Sequence, residues 1–305
     1  MSPMKLYVVD VVATKKYTGN QVAVIECDQP LEIELMLRIA RELSLPEISF
    51  VQNKPNKDGS YNVRMFTPER EISFSGHPTL GTAFIIYNFL DTKKKDEILL
   101  NLPSGQVSIE ISQLDKKGDS NFISKSKPCL SSNQKNPEFG RIYEPVLLSK
   151  ILGLEPQDFD KKFPIQEVTI GLHVILVPLK SLEILKQIKI NLERYNWLVQ
   201  RTQAKLILAF CSETEHPENN LHVRVFADYY GIPEDAATGS SNGCLVGYLA
   251  KYKYFGKDSV DVRIEQGYEI GRPSLILAKA QIESDGIINV SIGGLVNLVV
   301  EGEIL

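Results

Sequence analysis

The sequence predicts an α+β fold made of two similar halves. Three observations carry this expectation. Strand-like segments run along the whole chain, and helices are few and separated rather than alternating with strands. Two helical segments, 79–89 and 243–252, are apolar on every side, the mark of helices buried all round. An echo links the halves: Val63-Arg64-Met65-Phe66 precedes a loop, Gly76 and the first apolar helix. Val223-Arg224-Val225-Phe226 precedes a slightly longer loop, Gly239 and the second.

In chain order, 5–12 and 21–26 read as strands joined by the turn Thr18-Gly19-Asn20. Segment 32–43 places Ile33, Met36, Leu37, Ala40 and Leu43 at helical spacing and stops before Pro46. Short strands are expected at 48–52 and 61–66, then, beyond the first buried helix, at 97–102 and 106–112. Segment 114–137 is rich in Lys, Ser, Asn, Asp and Gly and reads as the crossover between halves. A second series follows: a helix around 145–152, strands near 168–179, a helix around 182–188, and strands at 206–210 and 222–226. Beyond the second buried helix, closing strands are expected at 260–264, 274–279 and 287–293.

The composition is that of an ordinary globular protein, with 43% apolar and 24% charged residues among 305, enough for one large core or two. A net charge of −4 argues against a nucleic-acid surface, and Lys93-Lys94-Lys95 is flanked by Asp91, Asp96 and Glu97, as in a solvated turn. Cys27, Cys129, Cys211 and Cys244 form no close pair, so reduced thiols and a cytoplasmic location are expected. The stretch MSPMKLYVVDVVA reads as a strand rather than a signal peptide. No apolar run approaches the roughly 20 residues of a transmembrane helix, so no membrane partner is expected.

The two glycine loops invite several chemistries. SFSGHPTLGTA has G-x-x-x-x-G spacing, but Thr82 stands where a phosphate loop needs lysine. No two of His77, His173, His216 and His222 stand three or four residues apart, so no local metal pair exists. Gly239-Ser240-Ser241-Asn242-Gly243 matches a hydrolase elbow, yet no histidine follows His222 to complete a triad. Each loop delivers the chain to the start of a buried helix, where free N–H groups and the helix dipole hold anions. Tight turns capped by Ser and Thr remain the alternative.

The ordered set Gly19-Asn20-Gln21-Val22-Ala23-Val24, Glu47-Ile-Ser-Phe, Arg64-x-Phe66-Thr-Pro, Gly76-His77-Pro-Thr-Leu-Gly-Thr-Ala, Glu234-Asp235-Ala-Ala-Thr-Gly239-Ser240, Gln266-Gly267 and Gly271-Arg-Pro-Ser274 resembles the PhzF-like isomerase family of phenazine biosynthesis. The resemblance implies the diaminopimelate-epimerase fold: two pseudo-symmetric β-roll or barrel lobes, each wrapped around a central helix, with the active site in the cleft between them. It implies an N-terminal lobe of 1–120 to which about 292–305 returns, and a C-terminal lobe of 121–291.

The resemblance also distributes roles. Glu47 falls on the family's catalytic carboxylate, with His77 and Asp235 as further catalytic positions. Asn20, Gly76, Gly239 and Ser240 fall at substrate-binding positions. A desolvated carboxylate suits this chemistry, because it can take a proton from one carbon and return it to another. No cofactor is implied. The expected partners are a small carboxylated substrate and, from the family, a second copy in a homodimer. Related two-base epimerases carry a cysteine before each loop glycine, where this chain has Ser75 and Thr238. The alternatives are a small-anion binding or interaction protein without turnover, or a two-base racemase using Glu47 and Asp235.

Overall fold

A computed structural model describes residues 3–73, 75–113 and 128–305. The expected lobe boundary at 120/121 lies outside the described residues, as does Phe74 of the first glycine loop. The chain divides into two compact units, Met1–Ser132 with Gly293–Leu305, and Asn133–Ile292. Strands dominate, and among the described residues no helix is long and apolar enough to cross a membrane.

The first unit begins with β1 (Met4–Val11), whose Tyr7, Val9 and Val11 alternate into the core, and β2 (Asn20–Cys27). Helix α1 (Ile33–Leu43) buries Met36, Ile39 and Ala40 on one face. It stops where Ser44 turns left-handed (φ 51°) and its N–H reaches the Ala40 carbonyl at 3.1 Å. Then come β3 (Ile48–Gln52), β4 (Tyr61–Phe66), the short β5 (Glu71–Ile72) and α2 (Gly76–Ile85), which continues as a π-helical turn over Ile86–Leu90. Strands β6 (Glu97–Leu102), β7 (Gly105–Gln113) and β8 (Pro128–Gln134) follow.

The second unit runs β9 (Glu138–Tyr143), α3 (Pro145–Leu152), β10 (Ile165–Thr169), β11 (His173–Pro178), α4 (Leu182–Lys186) and α5 (Leu192–Val199). It continues with β12 (Leu206–Cys211), β13 (Leu221–Ala227), β14 (Ile232–Asp235), α6 (Gly239–Lys251), β15 (Ser259–Gln266) and β16 (Ser274–Ile282); β17 (Ile288–Ile304) begins in this unit and from Gly293 onward belongs to the first.

The pairing order repeats. β1–β2 is antiparallel, β2–β3 parallel, β3–β4 antiparallel, β4–β6 parallel and β6–β7 antiparallel. β10–β11, β11–β12, β12–β13, β13–β15 and β15–β16 follow the same alternation. The echoed strands β4 and β13 therefore hold corresponding places. Arg64 forks onto Glu71 through Nε and Nη2, both at 2.7 Å, and Arg224 forks onto Glu234 at 2.9 and 2.7 Å. Each guanidinium also lies over the phenylalanine two residues on, Phe66 or Phe226, at 5.6 and 5.0 Å.

β17 pairs with β1 from Met4↔Ile304 to Val11↔Val296, and with β8. With β7–β8 paired, β1-β2-β3-β4-β6-β7-β8-β17 closes into an eight-stranded barrel. Helix α2, apolar all round, packs against β1, β2, β3, β6 and β7 of that barrel. Gly81 makes the approach possible, since a Cβ there would lie 2.5 Å from Val22 Cγ1. In the second unit, Ser241 to Ala250 of α6 are all buried, and the helix packs against β10, β11, β15 and β16.

The structure adds to the expected elements. β8 lies within the polar segment read as a crossover, and β5, β9, β14 and α5 carry too few patterned residues to stand out. β17 runs on past Gly293 to Ile304, and this second half pairs with β1.

Candidate active site

Glu47 sits immediately before β3, where its carbonyl accepts from Ala23 N–H at 3.3 Å and holds it beside β2. Ser75 occupies the cap position of α2 in extended conformation (φ −149°, ψ 143°), yet its side chain makes no cap bond to the helix. Its hydroxyl instead donates to Glu47 Oε2 at 2.9 Å. His77 Nε2 lies 3.2 Å from the same oxygen, and the two side chains are only 12% (His77) and 18% (Glu47) exposed. Burial pushes the Glu47 carboxyl up to about 7, against the opposing pull of the Ser75 hydrogen bond. Sequence reasoning placed Glu47 and His77 some thirty positions apart, and folding brings them together on one carboxylate oxygen.

Gly76 opens α2, and its carbonyl accepts from Thr79 Oγ1 at 2.6 Å. Pro78, which has no N–H, falls in the first turn, where that donor has no helical partner to lose. Asn20 starts β2, buried, opposite Val11. The turn before it requires Gly19, whose φ is 71° and whose Cβ would collide with the Val11 carbonyl.

The second unit repeats the device. Asp235 ends β14, and Thr238 caps α6 without a side-chain bond to the helix. The Thr238 hydroxyl donates to Asp235 Oδ2 at 2.5 Å. Gly239 and Ser240, both half-buried, open the helix behind it. Each cap hydroxyl thus turns away from its helix toward a carboxylate, which leaves the helix start free of side-chain caps.

Gln266 and Gly267 hold this second loop. Gln266 Oε1 accepts from Thr238 N–H at 3.2 Å and from Asn242 Nδ2 at 2.8 Å. Gln266 Nε2 donates to the Asp235 carbonyl at 2.8 Å and to Thr238 Oγ1 at 3.1 Å. Gly267, at φ 79°, passes so close to Ala236 that a Cβ would lie 2.6 Å from its carbonyl oxygen. Ser274 Oγ donates to the same carbonyl at 2.8 Å. The Gln-Gly and Gly-Arg-Pro-Ser pieces of the sequence pattern are therefore supports of the loop. Ser75, Thr238 and Gln266 are the positions to which sequence reasoning gave no role. A hydroxyl residue directly before each helix glycine was the signal for Ser75 and Thr238.

The chain shares its fold with a PhzF-family protein from Bacillus anthracis, with a TM-score of 0.88, 25% identity and full coverage of both chains. It is also similar in fold to a hydroxyproline epimerase from Agrobacterium vitis, with a TM-score of 0.60 at 10% identity, covering 99% of this chain and 92% of that one. Among curated proteins it is 32% identical to the trans-2,3-dihydro-3-hydroxyanthranilate isomerase of Pseudomonas aeruginosa over 94% of both chains. Such relatives make the chain an isomerase. It belongs to the phenazine biosynthesis-like protein family, PhzC-PhzF, whose model matches residues 9–302.

Proposed function

We infer that the chain moves a proton between carbons of a small unsaturated carboxylate, with Glu47 as the group that takes and returns it. The observation that carries this reading is the state of Glu47: largely buried, hydrogen-bonded by Ser75, beside His77, and pushed up to about 7. A carboxyl with that pKa is populated in both forms at neutral pH, so one side chain serves as base and then as acid.

In this reading Glu47 carboxylate removes a proton from a carbon next to the unsaturated system, and the electron pair moves into the conjugated π system. The Glu47 carboxylic acid then delivers the proton to a second carbon, and the double bond shifts. His77 orients Glu47 and steadies the charge on the substrate. Asn20, Gly76, Asp235, Gly239 and Ser240 bind the substrate's polar groups, the two glycines through helix-start N–H groups. Each unit is read as a β-roll around its buried helix, α2 or α6.

The relative's substrate, trans-2,3-dihydro-3-hydroxyanthranilate, is the first compound to test. The protein is incubated in D2O with that compound and, separately, with the carboxylated metabolites of a cell extract. Deuterium on a carbon of a carboxylated product supports the reading. Absence of both turnover and deuterium uptake with every compound contradicts it.

A further inference from the structure

β13 buries His222, Arg224 and Phe226, residues of one strand face. Opposite His222 on β15 stands Glu265, and the corresponding pair on β4 and β6 is Asn62 opposite Asn101. A pair of amides in one unit thus corresponds to a charged pair in the other.

His222 is fully buried between two carboxylates, with Nδ1 2.8 Å from Glu265 Oε2 and Nε2 3.1 Å from Glu269 Oε1. Glu265 further accepts from the N–H groups of Glu215 and His216, both at 2.8 Å, and from Asn219 Nδ2 at 2.7 Å. Burial works against charge on all three groups, yet these contacts overcome it. His222 is pushed up to about 9, and both carboxyls are held below their ordinary range. A buried ion cluster contributes little net stability against its desolvation cost, so stability alone is a weak account of it.

The cluster is joined by two arms to the loop that carries Asp235. Glu265 is followed by Gln266, whose side chain bonds Thr238, Asn242 and the Asp235 carbonyl. Glu269 lies 4.0 Å from Arg224 Nε, and Arg224 forks onto Glu234, the neighbour of Asp235. The other end of the Arg224 fork is fixed by the carbonyls of Leu185 and Ile188, at 3.1 and 3.2 Å.

We propose that His222 is a positioning residue: clamped between Glu265 and Glu269, it fixes the 265–272 turn and, through Gln266 and the Arg224–Glu234 fork, the loop presenting Asp235 and the start of α6. The proposal rests on the reading of that loop as a substrate holder, but its test uses no substrate. Failure of the test therefore stands apart from failure of Glu47 as the base. The other groups facing His222 are Arg224 on its own strand, Cys211 opposite on β12, and Tyr268 at 5.2 Å between ring centroids. Glu215 and His216 lie behind Glu265, with Lys186 paired to Glu215. Burial pushes the Cys211 and Tyr268 groups up, to about 12 for the thiol, so His222 titrates before either.

The measurement is amide hydrogen exchange by mass spectrometry on the full chain, comparing wild type with His222→Gln and Glu269→Ala. Glu269→Ala removes only the outer carboxylate and stands in if His222→Gln does not fold. Exchange at 235–242 and 266–272 is expected to accelerate by at least about tenfold in each folded variant, with 47–52 and 76–85 unchanged. In wild type, protection of 235–242, corrected for intrinsic rates, is expected to fall as pH passes about 9; this step is expected to vanish in His222→Gln and to move to lower pH in Glu269→Ala, which keeps Glu265 but loses one of the two carboxylates that raise His222. Wild-type protection at 235–242 in a folded variant overturns the proposal. So does a loss of protection spread evenly over β10 to β13, which marks general destabilisation.

Discussion

Ser75 stands at the cap of α2 but gives its hydroxyl to Glu47, 28 residues upstream, at 2.9 Å. That bond acts on the Glu47 carboxyl and on the helix at once. It favours the ionised carboxyl, and it withholds from α2 a side-chain cap ordinarily worth about 1 kcal/mol.

Removing the hydroxyl moves the titration. In Ser75→Ala the group that lowers the Glu47 pKa is gone while burial persists, so the pKa rises above its value of about 7. The base form then needs higher pH. The acidic limb of the kcat/KM profile is expected to shift upward relative to wild type. An unmoved limb contradicts the role given to Ser75.

Glu47 also links stability to pH. Its folded pKa of about 7 lies above the ordinary carboxyl value of 4.5, so between these values the folded state binds more protons than the unfolded one. The contribution of Glu47 is fully present below about 4.5 and is lost as pH rises through 7. It amounts to a few kcal/mol at most, on the order of 1.4 kcal/mol per pH unit. Glu47→Gln mimics the protonated form and removes this loss. In urea unfolding, the variant is expected to gain on wild type between pH 5 and pH 8.

The two arginine forks separate burial from geometry. Arg224 and Glu234 are each 9% exposed, whereas Arg64 and Glu71 are 35% and 27% exposed. Arg224→Ala leaves a buried carboxylate and is expected to cost about 3 kcal/mol or more. Arg64→Ala breaks a solvent-screened pair and is expected to cost about 1 kcal/mol or less. Urea unfolding checks the pair, and Trp197, the chain's one tryptophan, lies on α5 and reports the second unit by fluorescence.

Gln266 is fully buried and bonds Thr238, Asn242 and the Asp235 carbonyl. Gln266→Ala frees the loop behind Asp235 and Gly239, so substrate meets a less ordered site. KM is expected to rise about tenfold or more, with a smaller change in kcat. Kinetics on any compound that the wild type turns over check this. A fall in kcat with unchanged KM contradicts the loop's binding role.

Local pattern made much of the architecture legible. The alternation in β1, the helical spacing in α1 and the all-round apolarity of α2 and α6 each belong to one contiguous segment. The repeated Val-Arg-x-Phe marked strands that do hold corresponding places in the two pairing orders. What escaped depends on distant partners. β8 is a strand because β7 lies beside it, although its own stretch is polar. In the candidate site Glu47 and His77 were legible through the family pattern, while the Ser75 contact spans 28 residues and His222–Glu265 spans 43. Serine before a helix glycine reads as a cap, and only the fold turns its hydroxyl to a carboxylate.

The central claim is that Glu47 carries the proton, and solvent label tests it most directly. Wild type and Glu47→Gln are compared in D2O on a carboxylated compound that the wild type labels at carbon. Glutamine keeps the size and hydrogen-bonding capacity of the protonated carboxyl but cannot accept a proton from carbon. The account predicts deuterium at a product carbon with wild type and a loss of about a thousandfold or more in the folded variant. Equal deuterium incorporation by the two proteins would contradict it.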